Sequence, residues 1–392
     1  MVLASHSIVK FTWLLLPAIL LVGCSRFRHE EHQFVYVSAR QVYLRDRVAA
    51  VSNRVGMVTN GEALEVVERG KRFTKVRTPK GEIGWLEDHA IIDDKFYAQF
   101  QDLNKSHASA PAVATGELRD DLYLHLLPGR ETAHFIVLAG NTKVQFLQRG
   151  TVAKPAPPGT PVVKSPATDG QSVPAPVVLE DWWLVRDQSG RCGWLLARQL
   201  DVDVPEEVGG YAEGQRMVGA YPIAKVMDSA VERKRTKKTD GKPEKTADSQ
   251  EDVPEPAGPV EHTEYVTFLT PPHSGLPYDF DQLRVFTWSL NHHRYETAYR
   301  LHGIRGYMPV KISQETVNGQ SMPVFSFVIS DNPDIRVDAQ TGVTRPAIPR
   351  MVSFRMEGNL VRRTGPDMAP IILVHEGDEP GKQKSGAKKA KK

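Results

Sequence analysis

The sequence predicts an all-β protein with three β-rich parts, and three observations support this. Short segments in which apolar and polar residues alternate recur along the chain, separated by turn residues. One such pattern occurs twice in the first half. A third β-rich segment, rich in aromatic and β-branched residues, follows in the second half.

The internal repeat defines the first two parts. Positions match at a shift of 80 residues and then at a shift of 109. The matched segments are 64–70 with 144–150, 73–77 with 182–186, and 81–86 with 190–195. The second copy is longer because of a proline-rich insertion, residues 151–180. Proline lacks a backbone donor, so we expect this insertion to be an extended or disordered loop outside any sheet.

The order of residues in each copy is an aromatic residue, Val-Arg, a turn, and Gly-x-x-Gly-Trp-Leu. This order resembles the bacterial SH3 (SH3b) family of small β-barrels, over residues 33–92 and 113–200. We therefore predict SH3b-like barrels at 34–92 and 113–200. The resemblance implies modules that bind cell-wall peptides, glycans or partner proteins.

The N-terminus predicts export and a lipid anchor. Lys10 precedes an apolar run that is too short to span a bilayer comfortably, and Leu21-Val22-Gly23-Cys24 follows. These four residues resemble the lipobox of bacterial lipoproteins. The resemblance implies removal of residues 1–23, acylation of Cys24, a tether at 24–33 and, because Ser25 is not Asp, an outer membrane facing the periplasm. An ordinary signal peptide or signal anchor is the alternative.

The third β-rich part is predicted at 214–375 and resembles no family that we recognise. A charged run, 229–261, interrupts it and reads as a disordered loop, and 376–392 reads as a lysine-rich disordered tail. A strand near 217–227 has no other obvious partner, which favours insertion of the charged run within this third part. The basic cluster in the run could contact nucleic acid in principle, but export argues against that partner.

The sequence does not predict an enzyme, a metal or a cofactor. The net charge is only +3 and indicates no particular partner. His292 and His293 are adjacent, so on a strand they point to opposite faces and cannot share one ion. Cys192 aligns with Ile83, which predicts a packed thiol and not a nucleophile. A hydrolase with its site in the third part remains a distant possibility.

Tryptophans provide the candidate binding residue. Trp85 and Trp194 are predicted to be core residues of their modules. Trp182 and Trp183 are consecutive, so we expect one to pack and the other to reach solvent. Because Trp183 aligns with the polar Thr74, we predict Trp183 as the exposed ligand contact.

These expectations combine into a non-enzymatic, lipid-anchored binding protein of the cell envelope. Its partners would be the membrane, through Cys24, and either peptidoglycan or an envelope protein. The alternative is a structural or assembly subunit of an envelope complex, with the SH3b-like modules as spacers.

Overall fold

The computed structural model describes residues 33–155, 177–229 and 259–374. Cys24, the signal segment and the tail therefore lie outside the described residues, as do most of the tether, the proline-rich insertion and the charged run. The described residues are mostly antiparallel strands, which confirms the all-β prediction. The chain divides into two compact units, residues 1–97 and 98–392.

The first unit contains one seven-stranded sheet, which we call module 1. Its strands are β1 (Phe34–Val37), β2 (Gln41–Arg45), β3 (Arg54–Thr59), β4 (Ala63–Arg69), β5 (Phe73–Arg77), β6 (Ile83–Glu87) and β7 (Ile91–Asp93). They pair in the order β3-β2-β6-β5-β4-β1-β7. Alternate residues face inward and form the core: Val35, Val37, Leu44, Val58, Leu64, Val76 and Leu86.

The second unit begins with a matching sheet, module 2. Its strands are β8 (Ala114–Leu118), β9 (Leu122–His125), β10 (His134–Leu138), β11 (Lys143–Ala153), β12 (Leu179–Asp187), β13 (Cys192–Leu196) and β14 (Leu200–Val202). The order β10-β9-β13-β12-β11-β8-β14 reproduces that of module 1 strand for strand. Among the described strands neither sheet closes on itself, so the predicted barrels are open.

The strand registers confirm the repeat. Val66 pairs with Val76 as Phe146 pairs with Val185, and the same irregularity follows each pair. The insertion prediction is wrong at its ends, because Thr151 pairs with Asp181 and the β11–β12 ladder reaches Ala153 and Leu179. The two strands are longer than their counterparts in module 1.

A second, larger sheet completes the second unit; we call it the C-terminal sheet. Its strands are β15 (Arg216–Asp228), β16 (Val260–Thr270), β17 (Phe280–Ser289), β18 (Arg294–Val317), β19 (Gln320–Ile329), β22 (Arg350–Glu357) and β23 (Leu360–Thr364). A two-stranded sheet, β20 (Ile335–Val337) and β21 (Thr344–Pro346), lies between β19 and β22 in the chain. Because β15 pairs with β16 as far as Asp228 and Val260, the charged run is inserted between two strands of this sheet. The predicted end of the run at residue 261 is wrong, since Val260 and Glu261 belong to β16.

One helix was not predicted from the sequence. Helix α1 (Asp94–His107) begins after Asp93, whose Oδ1 accepts the Phe96 backbone N–H at 2.8 Å. Only Phe100 is buried on it, so its apolar pattern is weak. A short second helix, α2 (Glu206–Gly209), precedes β15. No helix among the described residues is long and apolar enough to cross a membrane.

Candidate functional site on the outer faces of the two modules

Strands β5 and β6 of module 1, and β12 and β13 of module 2, each turn one face away from the module core. We call these faces outer face 1 and outer face 2. Outer face 1 consists of Phe73, Lys75, Ile83, Trp85 and Glu87. Outer face 2 consists of the residues paired in the same register: Trp182, Leu184, Cys192, Trp194 and Leu196.

Outer face 2 is covered by other parts of its own unit. Its side chains form a buried apolar cluster together with Val343, against which Leu103 and Ala110 pack. The Cys192 backbone N–H donates to Asn104 Oδ1 at 2.7 Å. The end of helix α1 and the turn before β21 therefore cover this face.

The turn before β21 contacts module 2 at Gly150. Thr151 N–H donates to the Gly342 carbonyl at 3.1 Å. A Cβ on Gly150 would lie only 2.1 Å from the Thr341 carbonyl oxygen and 3.0 Å from the Trp194 ring. Gly150 thus creates a notch beside Trp194 that holds the main chain of a tight turn.

A buried ion network holds module 2 against the C-terminal sheet. The Arg149 guanidinium donates to Asp279 Oδ1 at 3.0 Å and to Asp181 Oδ1 at 3.2 Å. It also donates to the carbonyls of Leu276 and Tyr278. Burial opposes the charge, but the two carboxylates outweigh this and keep the pKa of Arg149 above its ordinary value. The sequence did not predict this network, because its members are far apart in the chain.

Outer face 1 is partly open to solvent, with Glu87 exposed and Phe73 and Lys75 half-buried. Trp85 is half-buried and Ile83 is 42 % exposed, with Tyr43 and Met57 exposed beside them on β2 and β3. The Lys75 ammonium lies 5.8 Å from the centre of the Trp85 ring. The prediction of Trp85 as a core residue is therefore wrong. Trp194 is buried as predicted, but by the cover on outer face 2 and not by the module's inner core.

The two outer faces differ at the positions next to the tryptophan, where outer face 2 has apolar residues and outer face 1 has charged ones. Leu184 and Leu196 of outer face 2 correspond to Lys75 and Glu87 of outer face 1, while the tryptophan is kept. Apolar residues allow outer face 2 to be buried permanently, whereas burying an unpaired charge on outer face 1 would cost free energy. An aromatic residue among charged ones is typical of a surface that is stable in water and still binds a partner.

The structure contradicts the prediction that Trp183 is exposed. Trp183 is 7 % exposed and stacks on Phe146 with 5.3 Å between ring centres. It points into the core of module 2, as the aligned Thr74 points into module 1, where Thr74 Oγ1 donates to Asp88 Oδ1. Trp182 lies on the covered outer face and is also buried. Alternation along β12 gives no exposed tryptophan because both faces of the strand are covered.

Trp183 is close to solvent at one place, a small cleft. It lines a cleft of about 280 Å³ between module 2 and the C-terminal sheet, with Met217 and Val218 on the opposite wall. Arg119 stands at the cleft but is held by Asp201 through two hydrogen bonds of 2.9 and 2.5 Å. The cleft is small and its cation is already paired.

The cysteine and the two histidines considered for catalysis or metal binding each have their own separate partners. Burial raises the pKa of the Cys192 thiol to about 11, which disfavours the nucleophilic thiolate. His292 contacts Glu296 and His293 contacts Asp228, each through Nδ1. Within residues 33–155, 177–229 and 259–374, no group of three or more His, Cys, Asp and Glu side chains is placed to hold a metal ion.

Comparisons with known proteins give only weak similarities. No protein family matches the chain, and no curated protein matches it either. Among solved structures, NlpC2 from Trichomonas vaginalis is similar over 44 % of this chain and 48 % of its own, with 9 % identity and a TM-score of 0.15. An NlpC/P60 family protein from Bacillus cereus ATCC 10987 covers 44 % of this chain and 57 % of its own, with 11 % identity and a TM-score of 0.21. The chain thus spans about half the length of both, and TM-scores this low do not define a shared fold.

Proposed function

We propose that this protein is a non-enzymatic binding protein of the cell envelope, anchored by lipid on Cys24. Outer face 1 is its binding surface, and the ligand is a wall peptide or glycan or a partner protein. The observation that carries the proposal is the contrast between Trp85 and Trp194. The two residues occupy the same register position, but Trp194 is buried by other parts of its own chain and Trp85 is only half-buried, beside Lys75 and Glu87.

The envelope location rests on the lipobox-like sequence at Leu21–Cys24, which lies outside the described residues. A chain held at the bilayer by two or more acyl chains stays there, because each buried methylene contributes about 0.8 kcal/mol. The wild-type protein should pellet with membranes. The Cys24→Ser variant should move to the soluble fraction or remain unprocessed, and unchanged fractionation and mass would contradict the anchor.

The binding surface is tested without the anchor. The full chain carrying Cys24→Ser is mixed with envelopes purified from cells that lack the protein, and co-sedimentation is measured. Trp85→Ala should weaken binding by about tenfold or more, because a central aromatic side chain dominates a contact of this kind. Phe34→Ala is the matched control, since Phe34 is an exposed aromatic residue of the same module on strand β1. Equal losses in both variants, or no co-sedimentation at all, would contradict the proposal.

A second function, a structural or assembly subunit, is favoured by a different observation. Module 2 buries Trp182, Trp183 and Trp194 and is joined to the C-terminal sheet through Arg149. The tryptophans of module 2 therefore pack within the second unit itself, as expected of a domain that serves as a structural spacer. Co-sedimentation with purified envelopes, which contain both wall material and envelope proteins, separates the two functions: binding that Trp85→Ala weakens favours the first, and binding that Trp85→Ala leaves unchanged favours the second.

A further inference from the structure

We infer that the notch between Gly70 and Trp85 binds a tight, acidic turn of a partner protein. This inference rests on the proposed function of outer face 1 and names the ligand class. Its basis is the filled counterpart in module 2, where Gly150 and Trp194 hold the turn of residues 338–343.

The two notches have the same construction. Gly70 pairs with Phe73 as Gly150 pairs with Trp182, and the Gly70 N–H donates to the Phe73 carbonyl at 2.8 Å. A Cβ on Gly70 would lie 2.9 Å from the Phe73 carbonyl oxygen and 3.6 Å from the Trp85 ring, and a Cβ on Gly150 would lie 3.0 Å from the Trp194 ring, so each glycine stands beside the tryptophan of its module. Gly70 is exposed and Trp85 half-buried, so the position that the Thr341 carbonyl occupies in module 2 is accessible to a ligand in module 1.

The turn that fills the module 2 notch defines what the notch accepts. Asp338 caps this turn, since its Oδ1 accepts the N–H groups of Gln340 and Thr341 and the Thr341 hydroxyl. Gly342 has φ +62°, and a Cβ there would lie 2.0 Å from the Thr151 carbonyl oxygen. Main chain without a side chain is therefore required at the contact, which a glycine-containing turn of a protein provides.

Charge indicates an acidic partner. Lys71 and Arg72 follow Gly70 in an exposed turn, and Lys75 lies over the Trp85 ring. None of the three forms an ion pair with another residue in the part of the chain that the structure describes. An aspartate-capped turn such as 338–343 would place a carboxylate beside these cations.

The probe for the test is a backbone-cyclised peptide of residues 337–344, which contains the turn and the Val337–Thr344 strand pair and has one acidic and no basic residue. It is added to the isotope-labelled full chain carrying Cys24→Ser, and NMR follows the Gly70 amide and the Trp85 indole N–H, the latter assigned with Trp85→Phe. We expect saturable shifts at both signals by millimolar peptide. A control peptide with Gly342→Val should shift neither, and Lys75→Glu in the protein should weaken binding of the original peptide several-fold.

Three results would overturn the inference. They are no shift at Gly70 and Trp85, equal shifts with the Gly342→Val peptide, and shifts at Gly150 and Trp194 alone, which would report exchange of the internal turn. A purified disaccharide-peptide wall fragment is run in parallel. Shifts at Trp85 with this fragment and none with the turn peptide would disprove the protein ligand while leaving the proposed function intact. The proposed function falls separately, if Trp85→Ala does not reduce envelope co-sedimentation.

Discussion

Arg149 Nε lies 3.0 Å from Asp279 Oδ1, and this buried ion pair joins module 2 to the C-terminal sheet. The Arg149 side chain is 4 % exposed and Asp181 Oδ1 lies 3.2 Å from its other nitrogen. The register-equivalent arginine of module 1, Arg69, is exposed, and within the part of the chain that the structure describes its side chain hydrogen-bonds to Gln33 alone, at 3.2 Å. The same repeat position therefore forms a buried ion pair in module 2 and an exposed hydrogen bond in module 1.

The first prediction concerns this pair. Arg149→Met should destabilise the second unit by about 3–5 kcal/mol, because it removes the buried cation that Asp279 and Asp181 share and leaves Asp181 only Arg216, at 3.6 Å. Arg69→Met is the matched control and should cost less than about 1 kcal/mol, as for an exposed polar contact. Denaturant unfolding of the full chain measures both. Equal effects would mean that the Arg149 network does not hold module 2 in place.

The second prediction compares Trp194 with Trp85. Trp194→Ala should cost about 3–5 kcal/mol, the range for truncating a buried aromatic residue. Trp85→Ala should cost less than half of that, because Trp85 is half-buried and removing its ring opens no enclosed cavity. Urea unfolding followed by circular dichroism measures the two losses. A larger loss for Trp85→Ala would place Trp85 in a core after all.

The third prediction corrects the sequence-based expectation for Trp182 and Trp183. Both are buried, on opposite faces of β12, so Trp182→Ala and Trp183→Ala should each destabilise module 2 by about 3–5 kcal/mol. Thermal unfolding of the two variants checks this. A Trp183→Ala protein with wild-type stability and weakened envelope binding would restore the original assignment of Trp183 as the exposed contact.

The fourth prediction is a pH dependence set by His125. Burial, followed by the neighbouring His134, lowers the pKa of His125 from 6.5 to about 4. The unfolded chain therefore binds this proton more readily, and stability that is complete above pH 6.5 is lost as the pH falls towards 4. His125→Asn should reduce this loss. Unfolding midpoints at pH 7.5 and pH 5 measure the difference, and an identical pH dependence in the two proteins would contradict it.

The strands and the repeat could be predicted from the sequence because both depend on local patterns. Alternation identified the segments around Val66, Val185 and Phe268, and Gly-x-x-Gly-Trp marked the same hairpin twice. The burial of individual tryptophans could not be predicted, since it depends on which face another part of the chain covers. Trp85 and Trp194 occupy the same position in the pattern, and Trp194 is buried because residues far from it in the chain, among them Val343 and Leu103, pack in its cluster.

The candidate site was missed for a related reason. The prediction placed the exposed tryptophan in the longer copy, where Trp182 and Trp183 are consecutive. The substitutions of Leu184 by Lys75 and of Leu196 by Glu87 were visible in the repeat alignment. These substitutions indicate a difference in burial only when it is known that other parts of the chain cover outer face 2.

The most direct test of the central claim is cross-linking at outer face 1 in living cells. A photoreactive residue replaces Ile83, which is 42 % exposed beside Trp85, or Leu360, which is 59 % exposed on the C-terminal sheet and serves as the control. We predict covalent products with wall material or an envelope protein from position 83, lost in the Trp85→Ala background and absent from position 360. Equal products from both positions, or none from position 83, would contradict the assignment of outer face 1 as the binding surface.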